Sequence, residues 1–138
     1  MLMADSAQVS DAKLYILGGG LRFIGPKPQP LSLALLIEVP WDQANMRHEW
    51  RVELLDEDGM PVIPGDRPVI VGGEFEAGRP AGVTPGSALN VPMAINFSAI
   101  PVKPGLAYTW RLSIDGTSEP DWRISFGVRP PPPDAAST

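Results

Sequence analysis

The chain has no cysteine and only one histidine, His48, among its 138 residues. The absence of cysteine excludes disulfides, thiolate metal sites, iron–sulfur clusters and cysteine nucleophiles. A single histidine also excludes a metal site made of several histidines of one chain. We therefore expect no cofactor, and a catalytic serine would have only His48 to serve as its base.

Long apolar runs are absent as well. The longest covers residues 33–37, whereas a helix needs about 20 apolar residues to cross a bilayer. The first residues also lack the basic region and the apolar stretch of a secretory signal. These two features predict a cytoplasmic protein without membrane insertion, or one carried inside a larger assembly.

Basic residues are the minority: 11 lysines and arginines stand against 16 acids, for a formal net charge of -5. An acidic chain repels the phosphate backbone, so we expect no nucleic-acid partner. Residues 49–76 hold eight acids and only two arginines. This stretch is either a docking face for a basic partner or a solvated surface, and the sequence leaves both open.

Glycine and proline are abundant, with 14 and 17 residues, and they leave little room for long helices. The short segments between them alternate apolar and polar residues, which is typical of strands with one buried face. The sequence therefore predicts an all-β domain over residues 1–129, an antiparallel two-sheet β-sandwich of about eight strands. Residues 130–138 form a proline-rich C-terminal tail, read either as a spacer or as a docking arm.

The alternation is clearest in the last two predicted strands, 108–114 and 122–128, which place Trp110 inside and Thr109 outside. The first two strands are predicted to form a hairpin that turns at residues 10–12. Pro92 interrupts the pattern of residues 89–97 and predicts an edge strand or a bulge. Pro104 and Gly105 ahead of Tyr108 are typical of a tyrosine corner and favour an immunoglobulin-like sandwich.

Motifs that carry chemistry are weak. Gly18–Gly20 follows a strand as a phosphate loop would, but neither the lysine–hydroxyl pair nor the helix of such a loop comes after it. Acids cluster at residues 56–58 and again at 115–121, so calcium binding by acidic loops stays as an alternative. The sequence gives no reason to place both turns at one end of a sandwich, and solvated turn acids are the simpler reading.

Residues 40–48 are the most unusual segment. Trp41 and Met46 lie outside the predicted strands, and exposed Trp, Met and Arg side chains are typical of interface hot spots. The alternative interpretation is that this loop folds back and closes one end of the sandwich, with Trp41 filling the opening. We expect one short helical turn that Asp42 caps, and we read His48 as a surface histidine.

The candidate interaction surface takes residues from this segment and from the first acidic turn. Its members are Trp41, Asp42, Asn45, Met46, Arg47, His48, Asp56, Glu57 and Asp58.

Several short stretches also resemble an uncharacterised family of small bacterial all-β proteins, a domain of unknown function. They are residues 5–19, 38–42 and 54–59, then Asn96 with Phe97, and residues 110–116. The resemblance spans residues 2–129 and implies the fold but no activity. Ala12 departs from it, since the first turn is expected to hold glycine.

The leading functional hypothesis is a non-enzymatic structural or protein-interaction module, a subunit or accessory of a larger assembly. A protein partner or self-association fits the exposed loop residues and the apolar edge at 89–97. A ligand- or calcium-binding sandwich is the alternative.

Overall fold

The computed structural model describes residues 1–133, and within them the chain forms nine strands. The strands are β1 Leu2–Ser10, β2 Lys13–Gly19, β3 Phe23–Ile24, β4 Leu31–Val39, β5 His48–Leu55, β6 Ile70–Phe75, β7 Leu89–Phe97, β8 Ala107–Ile114 and β9 Arg123–Val128. Within residues 1–133, the helical elements are two 3₁₀ turns, Trp41–Gln43 and Pro120–Trp122. The predicted all-β class is therefore confirmed.

The strands form two sheets, in the orders β2-β1-β4-β7 and β3-β9-β8-β5-β6. Every pair is antiparallel except β3 with β9, which is parallel. The predicted antiparallel pairing therefore holds for every pair but this one, and the chain has nine strands where about eight were predicted. With only two residues, β3 has no alternating pattern that a sequence could show.

One core lies between the two sheets. It joins Leu33 and Leu35 of β4 to Val52 of β5 and Trp110 of β8, all of them buried. The rings of Phe97 and Trp110 stack across the sheets with centroids 5.0 Å apart. Burial of these large side chains is the main stabilising contribution to the fold.

The predicted strand faces are confirmed where the alternation was clearest. Trp110 is buried and Thr109 is partly exposed, and the same order holds along β9. β7 lies at the edge of its sheet, as Pro92 predicted. The Tyr108 hydroxyl accepts a hydrogen bond from the Lys103 N–H at 2.9 Å, which is the local contact expected of a tyrosine corner.

The predicted first hairpin is present, and its turn is tight. Asp11 and Ala12 connect β1 to β2 with φ values of 54° and 58°. Two successive positive φ values define a type I′ turn, whose second position favours glycine. Asp115 and Gly116 make the equivalent turn after β8, with φ values of 51° and 79°.

β1 is displaced along its sheet relative to β4. β4 pairs with β7 over its whole length, but it pairs with β1 only at Ser32–Ala34. Most of β1 therefore continues past the first residue of β4, where it pairs with β2 alone.

No helix in residues 1–133 combines the length and the apolar character needed to cross a membrane. Residues 130–133 of the proline-rich tail are exposed. The rest of the predicted tail, residues 134–138, lies outside the described residues.

Candidate functional site

The structure separates the candidate interaction surface into two parts. The segment 41–48 leads into β5, whereas Asp56–Asp58 follows its last residue. β5 has 8 residues, so the two parts lie about 23 Å apart at a strand rise of about 3.3 Å per residue. They do not form one contiguous surface.

Trp41 begins the expected short helical turn and packs partly buried against the core. The Arg79 guanidinium lies 4.4 Å from the centre of its ring and donates to the Trp41 carbonyl at 2.6 Å. This arrangement matches the interpretation that the loop folds back and closes one end of the sandwich. Asp42 does not cap the turn: Pro40 holds the N-cap position, and no side chain caps it.

The remaining residues of the segment are more accessible. Asp42, Asn45, Met46 and Arg47 are exposed. Arg47 Nε lies 3.4 Å from a carboxylate oxygen of Glu74 on β6. The segment therefore offers one apolar side chain, Met46, among polar ones that are hydrated or already paired.

His48 is not a surface residue, and that prediction is wrong. Its relative exposure is 5%, because β5 begins here and the ring stacks on Phe75 of β6 at a centroid distance of 5.3 Å. Nδ1 lies 2.7 Å from Asp115 Oδ2, and Nε2 lies 3.1 Å from the Gln43 carbonyl oxygen. Both partners are acceptors, so both ring nitrogens donate and the imidazole is held as a cation.

The charges of this pair stabilise each other. The hydrogen bond to Asp115 and then the bond to the Gln43 carbonyl raise the pKa of His48 above its ordinary value. The hydrogen bond from His48 and then the bond from the Glu49 N–H lower the pKa of Asp115. His48 thus joins three elements: the 3₁₀ turn, the start of β5 and the β8 turn.

Two acids of the first acidic turn, Asp56 and Glu57, accept hydrogen bonds from backbone N–H groups. Asp56 Oδ1 accepts from the N–H groups of Asp58 and Met60 at 2.9 and 3.0 Å. Glu57 Oε1 accepts from the Ala107 N–H at 2.8 Å. Asp115 lies at the other end of β5, where it accepts from Glu49. Among residues 1–133, no three histidine, aspartate or glutamate side chains group closely enough to hold a metal ion.

The acidic stretch 49–76 is not a single charged face. Glu53 is buried on β5 and pairs with Arg111 of β8, whose Nε donates to it at 2.9 Å. Glu74 is engaged by Arg47. Several of the acids are thus neutralised or occupied within the fold.

A cleft of about 590 Å³ opens between the sheets beside His48. β4 contributes Leu35, Ile37 and Val39 to one wall, and the second sheet contributes Leu112 and Ile114 to the other. The cleft is mainly apolar, and the polar atoms of His48 are already bonded to protein. It suits an apolar occupant rather than a charged one.

The β1–β2 hairpin was missed as a candidate site. Among residues 5–19 only Ala7 is buried, whereas Val9, Tyr15, Ile16 and Leu17 are all exposed, and Leu17 reaches 70%. Their apolar character was visible in the sequence. Their exposure was not, because the sequence does not show that β1 extends beyond β4.

Comparison with known families matches residues 1–129 to one family model, described as a family of unknown function. This confirms the resemblance to an uncharacterised family. Neither the curated proteins nor the solved structures contain a match to the chain.

Proposed function

The chain belongs to DUF6941, a family of unknown function, and on that premise we propose that it is a structural or protein-interaction module. In this role it is a non-enzymatic subunit or accessory of a larger assembly. The observation that carries the proposal is the β1–β2 hairpin, which holds four exposed apolar side chains outside the core. Exposed apolar residues concentrated on one element are typical of protein interfaces.

The outer edge of the hairpin supports this role. β2 is an edge strand of 7 residues, and no charged residue occurs between Lys13 and Arg22. Proteins that act alone protect such edges with charges, prolines or very short strands. The opposite edge, β7, has Pro92 within it, whereas the only such protection on β2 is Lys13 at its first residue.

The state of His48 supports a role without catalysis. A general base needs a free ring nitrogen within reach of the proton that it removes. Both nitrogens of His48 are engaged by Asp115 and Gln43. Within the described part of the chain, the one imidazole is therefore committed to holding the fold.

The inter-sheet cleft favours ligand binding as a second candidate. Its volume of about 590 Å³ falls within the range of roughly 300–1,000 Å³ that is usual for small-molecule sites. The calcium form of this candidate has less support, because Asp56 and Asp115 lie at opposite ends of β5 and bind backbone N–H groups.

We also infer an immunoglobulin-like arrangement of the two sheets, for which the contact between Tyr108 and Lys103 is the support. The net charge of -5 supports partners other than nucleic acid.

The interaction role is tested with Leu17→Asp and a matched control, Met60→Asp. Both side chains are largely exposed, at 70% and 61%, so both variants should melt like the wild type. In extract of the source cells, we expect the wild type and Met60→Asp to sediment in a complex and Leu17→Asp to lose it. A wild type that sediments alone at 14.8 kDa, or a complex that tolerates Leu17→Asp, would contradict the proposal.

A further inference from the structure

The free edge of the first sheet is β2. Among residues 1–133, it pairs with β1 and with no other strand. Its register with β1 is continuous from Lys13 to Leu17, and Gly18, with a φ of 64°, then interrupts it. The second edge of the sheet, β7, contains Pro92, which hinders the addition of a strand. β2 is therefore the edge of this sheet that another strand can join.

The hairpin turn determines which main-chain groups of β2 face outward. The turn has two residues, so Ser10 and Lys13, which flank it and lie opposite each other, form a hydrogen-bonded pair. Because hydrogen-bonded and non-hydrogen-bonded pairs alternate along an antiparallel ladder, Tyr15 also bonds to β1. The N–H and C=O groups of Leu14 and Ile16 therefore point away from β1, toward the free edge.

Apolar side chains stand on both faces of this edge. Tyr15 and Leu17 project from the same face, because side chains alternate along a strand. Leu14 and Ile16 project from the other face. Tyr15, Ile16 and Leu17 are exposed, and Lys13 is the one charged residue of β2. A strand that adds to this edge would find main-chain partners and apolar contacts, as in β-strand addition.

We propose that two copies of this chain join edge to edge, with β2 antiparallel to β2 about a twofold axis at Ile16. Ile16 then lies opposite Ile16 of the second copy, and the two residues exchange both main-chain hydrogen bonds. Tyr15 of each copy lies beside Leu17 of the other in a non-hydrogen-bonded pair, in which the side chains approach most closely. The two four-stranded sheets become one continuous sheet. This inference rests on the proposed interaction role and names its partner.

β2 is complementary to itself about this axis. The donor and acceptor of Ile16 meet the acceptor and donor of the same residue. Tyr15 and Leu17, the most exposed of the hairpin's large apolar side chains, cover each other twice. Lys13 lies beyond these pairs, opposite Gly19 of the second copy, where no side chain competes for space. The two lysines are six residue steps apart, about 20 Å, so like charges do not meet.

A second copy fits this edge better than the proline-rich tail does. Residues 130–133 are all proline, and they have no N–H to donate to the carbonyl of Ile16. Because both copies use the same surface, the contact closes after two copies. We therefore expect a dimer and no larger species from this contact.

The chain lacks cysteine, so introduced cysteines can report the register of the contact. Tyr15→Cys in one copy and Leu17→Cys in the other form a non-hydrogen-bonded pair, with Cα atoms about 4.5 Å apart, a distance that a disulfide spans. In dimers of one variant alone, the substituted positions lie diagonally, roughly 7–8 Å apart. An equal mixture of the two purified variants, treated with a mild oxidant, should therefore cross-link about tenfold faster than either variant alone.

A proline at the centre of the contact tests the main-chain hydrogen bonds. Ile16→Pro removes the N–H that both central bonds need, and an edge strand tolerates proline where its N–H faces outward. In analytical ultracentrifugation over a concentration series, we expect the wild type to form dimers and Ile16→Pro to associate roughly tenfold more weakly. Ile16→Val keeps the N–H and is the matched control, which should dimerise like the wild type.

Three results would overturn the edge contact. They are a wild type that stays monomeric, an Ile16→Pro variant that dimerises as tightly as the wild type, and a cysteine mixture that cross-links no faster than either variant alone. If the wild type is monomeric while Leu17→Asp still loses its complex in cell extract, the hairpin binds a different protein. The interaction role would then stand without the second copy. If the wild type is monomeric and Leu17→Asp keeps its complex, the interaction role fails as well.

Discussion

His48 Nδ1 lies 2.7 Å from Asp115 Oδ2, and this contact ties the start of β5 to the turn that ends β8. The same ring holds the Gln43 carbonyl through Nε2. Both hydrogen bonds need the protonated imidazole, so the stability of this contact depends on pH. His48 also borders the cleft between the sheets.

The free energy of unfolding should fall as pH rises above about 6.5, the ordinary pKa of histidine. The pKa of His48 is raised in the folded chain, so its contribution is complete below that pH and disappears as pH passes the folded-state pKa. The pKa of Asp115 is lowered, so its contribution is lost only in acid, below about 3.9.

Urea unfolding of the wild type and of Asp115→Asn between pH 5 and 9 separates this pair from the other groups. The wild type should lose more stability than Asp115→Asn on going from pH 6 to pH 9. Equal losses would show that the pair does not titrate as described.

The fold could be predicted from sequence where local pattern and burial agree. The alternation of β8, the edge position of Pro92 and the hairpin turn all depend on residues close together in the chain. His48 could not be placed in this way, because its burial depends on Phe75 and on Asp115, which is 67 residues away. The burial of Glu53 could not be predicted for the same reason, because its partner Arg111 lies 58 residues away.

The hairpin shows a different limit. Its apolar residues predicted strands correctly, but the displacement of β1 along β4 depends on strand register. Register is fixed by pairing between strands, and no residue within β1 or β2 reports it. The interface that we propose therefore became visible only in the structure.

Ala12→Gly should stabilise the chain. Ala12 has a φ of 58°, which costs an L-residue about 1–2 kcal/mol. Glycine loses more conformational entropy on folding than alanine does, and this reduces the gain in stability by about 0.5–1 kcal/mol. We expect a net gain of up to about 1 kcal/mol in urea melts.

The turn after β8 supplies the matched control for this substitution. Gly116 has a φ of 79° and no atom within 4 Å of where a Cβ would lie. Gly116→Ala should therefore cost about 1 kcal/mol through backbone conformation alone. A loss of stability in Ala12→Gly would show that the hairpin turn does not adopt the left-handed conformation.

Gly72→Ala should destabilise the chain although β6 is an edge strand. A Cβ at Gly72 would lie 2.9 Å from the carbonyl oxygen of Trp50. Because that atom belongs to the backbone of β5, relief requires β6 to shift, at a cost of about 1–3 kcal/mol. At Gly78 no atom lies within 4 Å, so Gly78→Ala should be close to neutral. Similar melting temperatures for the two variants would mean that β6 moves freely.

Trp110 should contribute the largest single loss in the core. Its relative exposure is 0%, and its ring stacks on Phe97 and on Phe126, with centroids 5.0 and 6.4 Å away. Trp110→Ala should cost about 3–5 kcal/mol, as for other buried aromatic residues. Thr109→Ala, which removes a hydroxyl 3.0 Å from that of Ser125, should cost less than about 1 kcal/mol.

Trp110→Phe refines this prediction, because the indole N–H of Trp110 is buried without a hydrogen-bond partner among the described residues. Removing an unpartnered donor also removes its desolvation cost of about 1–3 kcal/mol. This gain offsets part of the stability that is lost through the cavity that phenylalanine leaves. In urea melts, Trp110→Phe should therefore lose less than half as much stability as Trp110→Ala. Equal losses in the two variants would show that the indole nitrogen is hydrogen-bonded in solution.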